Sequence, residues 1–245
     1  MTYLLPRFRF HQRFRLFLLL SLSLLITACS SSSPPAQDNL HVSENRIVLN
    51  GAITEATLAS FVHLLETQPS IAYFDVNSAT GDPLAAIQLG YAVYHSGITV
   101  RVINECLGPC ANYLFTAAAQ RIITADAVVA WSGGALNQSR VLQWRNYMLP
   151  GVRDFLTRYS DAYLRRESRF FDRINVDQRI TTFGFDEHLG CMTDDTLGFY
   201  YSPAGLLSLG LGPTQFTEEP APAGLAEKGF CLVELSDRFL LLQNH

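Results

Sequence analysis

The hydrophobic and polar positions from residue 46 onward alternate between strand and helix patterns. The stretch RIVLNGAI, residues 46–53, alternates apolar and polar side chains, which is typical of a strand. IAYFDVNS, residues 71–78, is largely apolar, as expected of a buried parallel strand. TVRVINEC, residues 99–106, predicts a third strand. RIITADAVVAWSGG, residues 121–134, predicts one further strand or two short ones.

Helical patterns separate these strands. Thr54 is the predicted N-cap of a helix to about residue 68. Asp82 and Pro83 predict the start of a second helix, which residues 95–97 (HSG) end. NYLFTAAA, residues 112–119, predicts a third. The predicted apolar faces are Leu58, Phe61, Val62 and Leu65 in the first helix, and Leu84, Ile87, Leu89, Tyr91 and Val93 in the second.

This order with short connections predicts an α/β fold in which helices cover a parallel sheet. Residues 136–174 break the rhythm and predict a helical arm with a kink or break at Pro150-Gly151. The arm either packs on its own domain or is a surface for a homo-oligomer or a partner. A helix from Pro203 to Leu209 and a Pro-rich loop from Gly212 to Gly224 follow. The apolar positions of the arm are Val152, Phe155, Leu156, Tyr159, Tyr163, Phe170 and Ile174.

The N-terminus has the pattern of a bacterial lipoprotein signal. A basic start with four arginines precedes an apolar run at 16–26 and the sequence ITAC, so Cys29 is the predicted lipidated first residue. The alternatives are an ordinary cleaved signal or a membrane anchor, although the run is shorter than the ~20 residues of a spanning helix. We therefore expect a signal at 1–28, a Ser/Pro-rich tether at 29–44 and one domain at 45–245.

This signal also predicts where the chain resides. Ser30, rather than an aspartate, follows the cysteine and resembles the pattern of outer-membrane sorting. We expect a protein held by its N-terminal lipid in the bacterial envelope, at the outer membrane and facing the periplasm. An envelope protein or a peptide is the expected class of partner.

Charge argues against nucleic acid as a partner. Removal of residues 1–28 takes away four of the 18 basic side chains and none of the 22 acidic ones, leaving 14 basic side chains and a net charge near −8. No basic patch is evident along the sequence, and such a patch is what neutralises phosphates.

Four cysteines remain after Cys29. They are Cys106, Cys110, Cys191 and Cys231, and an even number in an exported chain favours disulfides. Three pairings are open, of which Cys106–Cys110 with Cys191–Cys231 is favoured because the first pair spans a tight strand-to-helix elbow. A zinc site at His188 and Cys191 is the alternative, but it lacks the paired spacing of zinc sites. We predict no metal and no cofactor.

Three stretches resemble the superfamily of the Clp-type protease subunit and the crotonases, and most closely its exported ClpP-like periplasmic proteins. They are NSATGDPLAAIQLGYAV, ECLGPCANYLFTAAAQRI and AVVAWSGG. The resemblance covers residues 46–133 well and extends loosely through VDQRITTFG and FYYSPAGLLSLGL. It implies a ClpP/crotonase-like parallel sheet layered with helices.

The resemblance also implies where a catalytic site would lie. The first stretch normally reads S-x-G-G-D and supplies one oxyanion amide; here Ser78 is followed by Thr80-Gly81, so only the second glycine remains. The second normally reads C-x-S-x-C, and Gly108 stands where the family has its nucleophilic serine. Pro109 stands where the other oxyanion amide would be, and proline has no N–H. Ser132 stands where the family has its histidine base.

These substitutions predict a chain without the family's chemistry. There is no hydroxyl at the elbow to attack a carbonyl and no histidine to activate a substitute. Loss of one oxyanion donor alone costs about 3–4 kcal/mol of transition-state stabilisation. We therefore expect a catalytically inactive protein with a binding or scaffolding role. The alternatives are a serine- or thiol-type peptidase with a relocated nucleophile, and a structural lipoprotein without a specific ligand.

Overall fold

The computed structural model describes residues 39–136, 149–212, 214–217 and 222–235, with the backbone alone at 150, 153–156 and 222–223. All of them belong to one compact unit, Asp38–His245. The predicted signal and Cys29 lie outside the described residues. None of the described helices is both long and apolar enough to span a membrane.

Nine strands are formed by the described residues. They are β1 Leu40–Ser43, β2 Arg46–Asn50, β3 Tyr73–Ser78, β4 Thr99–Leu107, β5 Gln120–Ile123, β6 Val128–Ala130, β7 Gly198–Tyr201, β8 Thr214–Phe216 and β9 Phe230–Val233. Seven build one sheet in the order β1-β2-β3-β4-β5-β8, with β6 paired to β4, and β7 and β9 form a second, parallel pair. Every pairing is parallel except that of β1 with β2. The predicted α/β class, with a mostly parallel sheet layered with helices, is confirmed.

Strand β4 is long enough to pair with two strands in succession. Its first half, Thr99–Val102, pairs with β5, and its last three residues, Glu105–Leu107, pair with β6. The stretch 121–134 therefore forms two short strands, which was one of the two predicted outcomes. As a result, β4 and β6 end side by side, with Leu107 opposite Ala130.

Five α-helices and a π-helix connect these strands in the described part of the chain. They are α1 Glu55–Thr67, α2 Pro83–Ser96, the π-helix Cys110–Phe115, α3 Pro150–Ile174, α4 Pro203–Ser208 and α5 Pro222–Glu227, with 3-10 turns at Gln178–Thr181 and Phe183–Phe185. The predicted caps are confirmed: Thr54 Oγ1 accepts from Thr57 N, and Asp82 Oδ1 accepts from Ala85 N. Gly97 ends α2 in the left-handed conformation.

Several local predictions were wrong. Strand β1 lies within the segment 29–44 that was expected to be a tether, and β8 and α5 occupy parts of the expected loop from Gly212 to Gly224. Val62, predicted on the buried face of α1, is 38% exposed. The prediction of a break at Pro150-Gly151, by contrast, agrees with the start of α3 at Pro150, because the first turn needs no N–H donor from proline.

An ion pair fastens the centre of the sheet. Asp75 on β3 is opposite Arg101 on β4, and its two carboxylate oxygens each accept a guanidinium hydrogen bond of 2.6 Å. Asp75 is 4% exposed, so the bidentate geometry compensates the loss of solvent around the carboxylate. The Arg101 guanidinium also lies 4.8 Å from the centre of the Tyr73 ring.

Helix α3 packs on the same domain through the C-terminal half of its apolar stripe. Phe170 and Phe171 are fully buried, and the Phe170 ring lies 5.1 Å from that of Tyr91 on α2 and 5.5 Å from that of Tyr113 on the π-helix. Nearer the start of the helix the stripe is open, since Val152 is 50% exposed and Tyr159 40%. Residues 137–148, the first part of the predicted arm, lie outside the described residues.

Candidate functional site

The residues predicted to mark a degenerate catalytic site follow the carboxyl ends of three strands. Strand β3 ends at Ser78, β4 at Leu107 and β6 at Ala130, and parallel strands present these ends at one edge of the sheet. We define the elbow as residues 105–115. The register places Ser78 opposite Cys106, the second residue of the elbow. The structure therefore brings together three strand ends, of which the first and last, Ser78 and Ala130, are 52 residues apart in sequence.

Gly108 and Ser132 lie next to each other at this edge. A Cβ atom built on Gly108 would lie 3.5 Å from Ser132 Oγ. Gly108 has φ +49°, in the left-handed region that favours glycine, and its N–H donates to Ala130 O at 3.1 Å. The hydroxyl of Ser132 makes no hydrogen bond with another described residue. The two positions that the resemblance assigns to a nucleophile and a base are thus adjacent, and they hold glycine and serine.

Pro109 begins the helix of the elbow without contributing an N–H. Its φ of −57° and ψ of −32° are helical, so the chain turns directly from Gly108 into the π-helix. The sequence predicted a helix here, but not its wider π winding. The disulfide Cys106–Cys110, with 5.1 Å between the Cα atoms, spans this turn, and both cysteines are fully buried. A thiol nucleophile is therefore excluded at the elbow.

The backbone at Gly81, after β3, lies so close to Ile53 that a side chain at position 81 would collide with it. Gly81 bridges Ile53, and a Cβ built on Gly81 would lie 2.7 Å from that of Ile53. Thr80 is exposed, while its carbonyl accepts from Ile53 N at 3.1 Å. Ser78 is 1% exposed, and its hydroxyl donates to the carbonyl of Thr80 at 3.1 Å. Ser78 is therefore a satisfied, enclosed hydroxyl rather than an accessible nucleophile.

Asn112 is a polar residue of the elbow that the sequence analysis did not single out. Its side chain is almost fully buried, and Nδ2 donates to Gly133 O at 2.9 Å. The other amide atom, Oδ1, has no hydrogen-bond partner in the described part of the chain. Asn112 thus ties the elbow to the backbone beside Ser132 and holds one spare acceptor there.

A buried carboxylate lies behind this edge. Glu167 on α3 is fully buried; Oε1 accepts from the Tyr113 hydroxyl at 2.7 Å, and Oε2 accepts from Ala135 N at 2.9 Å and Gln178 Nε2 at 2.6 Å. The Tyr163 hydroxyl lies 2.5 Å from that of Tyr113. Burial raises the pKa of Glu167 above its ordinary value and raises the pKa of both phenols well above theirs. These five residues form the Glu167 network, which connects α3, the π-helix and the segment after Ser132.

The Glu167 network does not supply a base to the elbow, because its carboxylate is surrounded by donors of the chain itself. The sequence analysis missed it, although a signal was present. Glu167 lies four residues after Tyr163 and three before Phe170, so a charged residue occupies the apolar stripe of α3. A charge at such a position predicts a buried, hydrogen-bonded group.

The remaining histidine, aspartate and cysteine residues considered for a site have local structural surroundings. His95 is exposed at the C-terminus of α2, with its ring 5.4 Å from that of Tyr94. Asp126 adopts φ +62° in the turn before β6, and Asp186 Oδ1 accepts from His188 N at 2.8 Å. Cys191 is bonded to Cys231 and so provides no thiolate for zinc with His188. The favoured pairing of both disulfides is confirmed.

No protein-family model matches this chain, and no curated protein sequence matches it. The proposal below therefore depends on the motifs of the sequence and on the geometry of the elbow.

Proposed function

We propose that this chain is a catalytically inactive, lipid-anchored member of the ClpP/crotonase-like superfamily in the bacterial envelope, and that it binds a peptide or another envelope protein. The observation that carries the proposal is the 3.5 Å between the Cβ position of Gly108 and Ser132 Oγ. The family motifs assign nucleophile and base to these two positions, and their contact supports that assignment. Glycine and serine there leave no base–nucleophile pair.

The backbone donors that would stabilise an oxyanion are missing or engaged as well. Pro109 has no backbone N–H to donate, and the N–H of Gly108 already donates to Ala130 O. An oxyanion needs donors that are free to point at it. Crotonases stabilise a thioester enolate with the same two backbone N–H groups, so this chain could not stabilise such an enolate either.

The triple substitution Gly108→Ser, Pro109→Ala and Ser132→His tests the proposal. It restores the nucleophile, the amide and the base at the positions that the motifs assign to them. We expect hydrolysis of a p-nitrophenyl ester above the buffer rate in this variant and none in the parent chain. The matched control, Gly108→Ala with Pro109→Ala and Ser132→His, retains the base but has no hydroxyl at position 108 and is expected to be inactive. Equal activity of the variant and this control would contradict the assignment of the nucleophile position.

A hydrolase with a relocated nucleophile is the second candidate, favoured by the Ser132 hydroxyl that has no partner among the described residues. A serine-reactive probe that labels the parent chain, with labelling lost in Ser132→Ala, would establish it. Capture of envelope proteins on the immobilised mature chain separates binding from a purely structural role. Recovery of a specific partner supports the proposal, and an empty result at high loading favours the structural lipoprotein.

A further inference from the structure

The exposed side of α3 carries a concentration of positive charge, so the expectation that the chain has no basic patch was wrong. Five exposed arginines lie along it within 16 residues, and we call them the arginine stripe: Arg158, Arg165, Arg166, Arg169 and Arg173. None of them makes an ion pair with another described residue. The mature chain has only 14 basic side chains in all and a net charge near −8, so the stripe is a local feature of an acidic protein.

The helical period places these side chains on one face. With 3.6 residues per turn, all five lie within an arc of about 100°, over a length of about 22 Å. Asp161 and Asp172 are exposed at one border of the arc and reduce its net charge to about +3. The face of a single helix is convex across its axis and extended along it, and so it suits an extended or planar anionic surface.

Exposed apolar side chains continue the same helix at its N-terminal end. Leu149 is 76% exposed, Val152 50% and Tyr159 40%. Val152 and Tyr159 lie on the apolar side of the arc. Burial and the nearby Asp82 carboxylate raise the pKa of Tyr159, and the Arg166 guanidinium partly offsets this shift. Arginines flanked by exposed aliphatic and tyrosine side chains are typical of helices that lie on a lipid surface, where phosphates bind the guanidinium groups and apolar groups enter the headgroup region.

We infer that the arginine stripe is a docking surface for a bilayer that contains anionic phospholipid. The inference rests on the proposed lipid anchor. Eleven residues from Cys29 to Asn39 reach at most about 40 Å when extended, so the domain is held near the bilayer at a high effective concentration. Each arginine near an anionic surface contributes about 1 kcal/mol, which is sufficient when the domain is already tethered.

Arginine footprinting of the mature chain, reconstituted on vesicles, tests this inference. The chain is treated with phenylglyoxal on phosphatidylcholine vesicles and on vesicles with about 30% phosphatidylglycerol, and modification is read by mass spectrometry. We expect at least about a threefold lower modification of the stripe on the anionic vesicles, with Arg46 on β2 unchanged as an internal control. About 0.5 M sodium chloride should abolish the protection.

Two variants and two additional conditions complete the test. Arg165→Glu with Arg169→Glu should abolish protection of the remaining arginines, whereas Lys228→Glu, an exposed charge reversal outside α3, should leave it intact. Equal modification on both kinds of vesicle overturns the inference. So does protection by free inorganic phosphate, or by an acidic protein fraction, in the absence of anionic lipid. Flotation with phosphatidylcholine vesicles reports the lipid anchor separately, so that failure of the anchor is distinguished from failure of the stripe.

Discussion

A single carboxylate shows how burial changes the chemistry of a side chain in this protein. Glu167 is fully buried among three donors, and burial raises its pKa above the ordinary value of 4.5. The folded chain therefore holds the proton of Glu167 more tightly than the unfolded chain. Its contribution to stability is fully present below pH 4.5 and is lost as the pH rises through the raised pKa.

Substitution Glu167→Gln tests this. The amide nitrogen of glutamine is a donor and can accept from neither Ala135 N nor Gln178 Nε2, so we expect the free energy of unfolding to fall by about 1–3 kcal/mol at acid pH. The difference between the parent and the variant should shrink as the pH rises above 4.5, by up to about 1.4 kcal/mol per pH unit. Urea denaturation from pH 4 to pH 8, with exposed Glu66→Gln as the control, measures both effects. A pH-independent difference would contradict the account.

Arg121 is a second residue whose surroundings define its role. Arg121 is 5% exposed, and its guanidinium donates to Phe115 O and Thr116 O, each at 2.8 Å. Burial lowers the pKa of Arg121 to about 10, which still leaves it charged at neutral pH. A positive charge at the carbonyl end of the π-helix favours the local dipole and fastens β5 to the elbow.

At the scale of elements, the two disulfides restrain the chain to different extents. Cys106–Cys110 closes a turn with a sequence separation of 4, whereas Cys191–Cys231 joins the segment after the 3-10 turns to β9 across a separation of 40. The longer loop removes more conformational freedom from the unfolded chain.

The two disulfides should therefore contribute differently to the free energy of unfolding. Replacing Cys191 and Cys231 by alanine should lower the free energy of unfolding by about 4 kcal/mol, and replacing Cys106 and Cys110 by about 2 kcal/mol, as the entropy of loop closure predicts. Denaturant unfolding of the two double variants provides the comparison. A larger loss for the short loop would show that the elbow bridge acts on the folded chain instead.

The elements that the sequence predicted are those that local interactions determine, and the elements that it missed depend on pairing with another strand. Local signals predicted α1 and α2 with their caps, because Thr54, Asp82 and Gly97 act on neighbouring backbone. Strand β8 was missed because it has only three residues and is held by pairing with β5, which is distant in sequence. Strand β1 was missed because it has only four residues, although it pairs with β2 across a two-residue turn. The adjacency of Gly108 and Ser132 follows from the register of β4 and β6, which no local pattern contains.

At the scale of the whole molecule, the proposal describes a domain held at a membrane by a lipid. The sequence supports this through the basic, apolar and small-residue order that ends at Cys29, which the described residues do not include. The distribution of charge is also a property of the folded chain, since five arginines spread over 16 residues form one stripe only on a helix. The sequence alone therefore did not reveal the basic face of α3.

Replacement of Cys29 by alanine tests the anchor. We expect the parent chain to incorporate radiolabelled palmitate and to fractionate with membranes, because the thiol of Cys29 is the predicted acceptor. The variant should incorporate none. Replacement of Ser30 by alanine leaves the thiol in place and provides the matched control. Palmitate incorporation that persists in Cys29→Ala would refute lipid attachment at this residue.

The central claim is that the edge of the sheet at Gly108 and Ser132 performs no acyl chemistry, and labelling of the purified mature chain with a fluorophosphonate tests it most directly. The account predicts no labelling and hydrolysis of acyl esters at the buffer rate. Labelling at Ser132, together with turnover that disappears in Ser132→Ala, would contradict it.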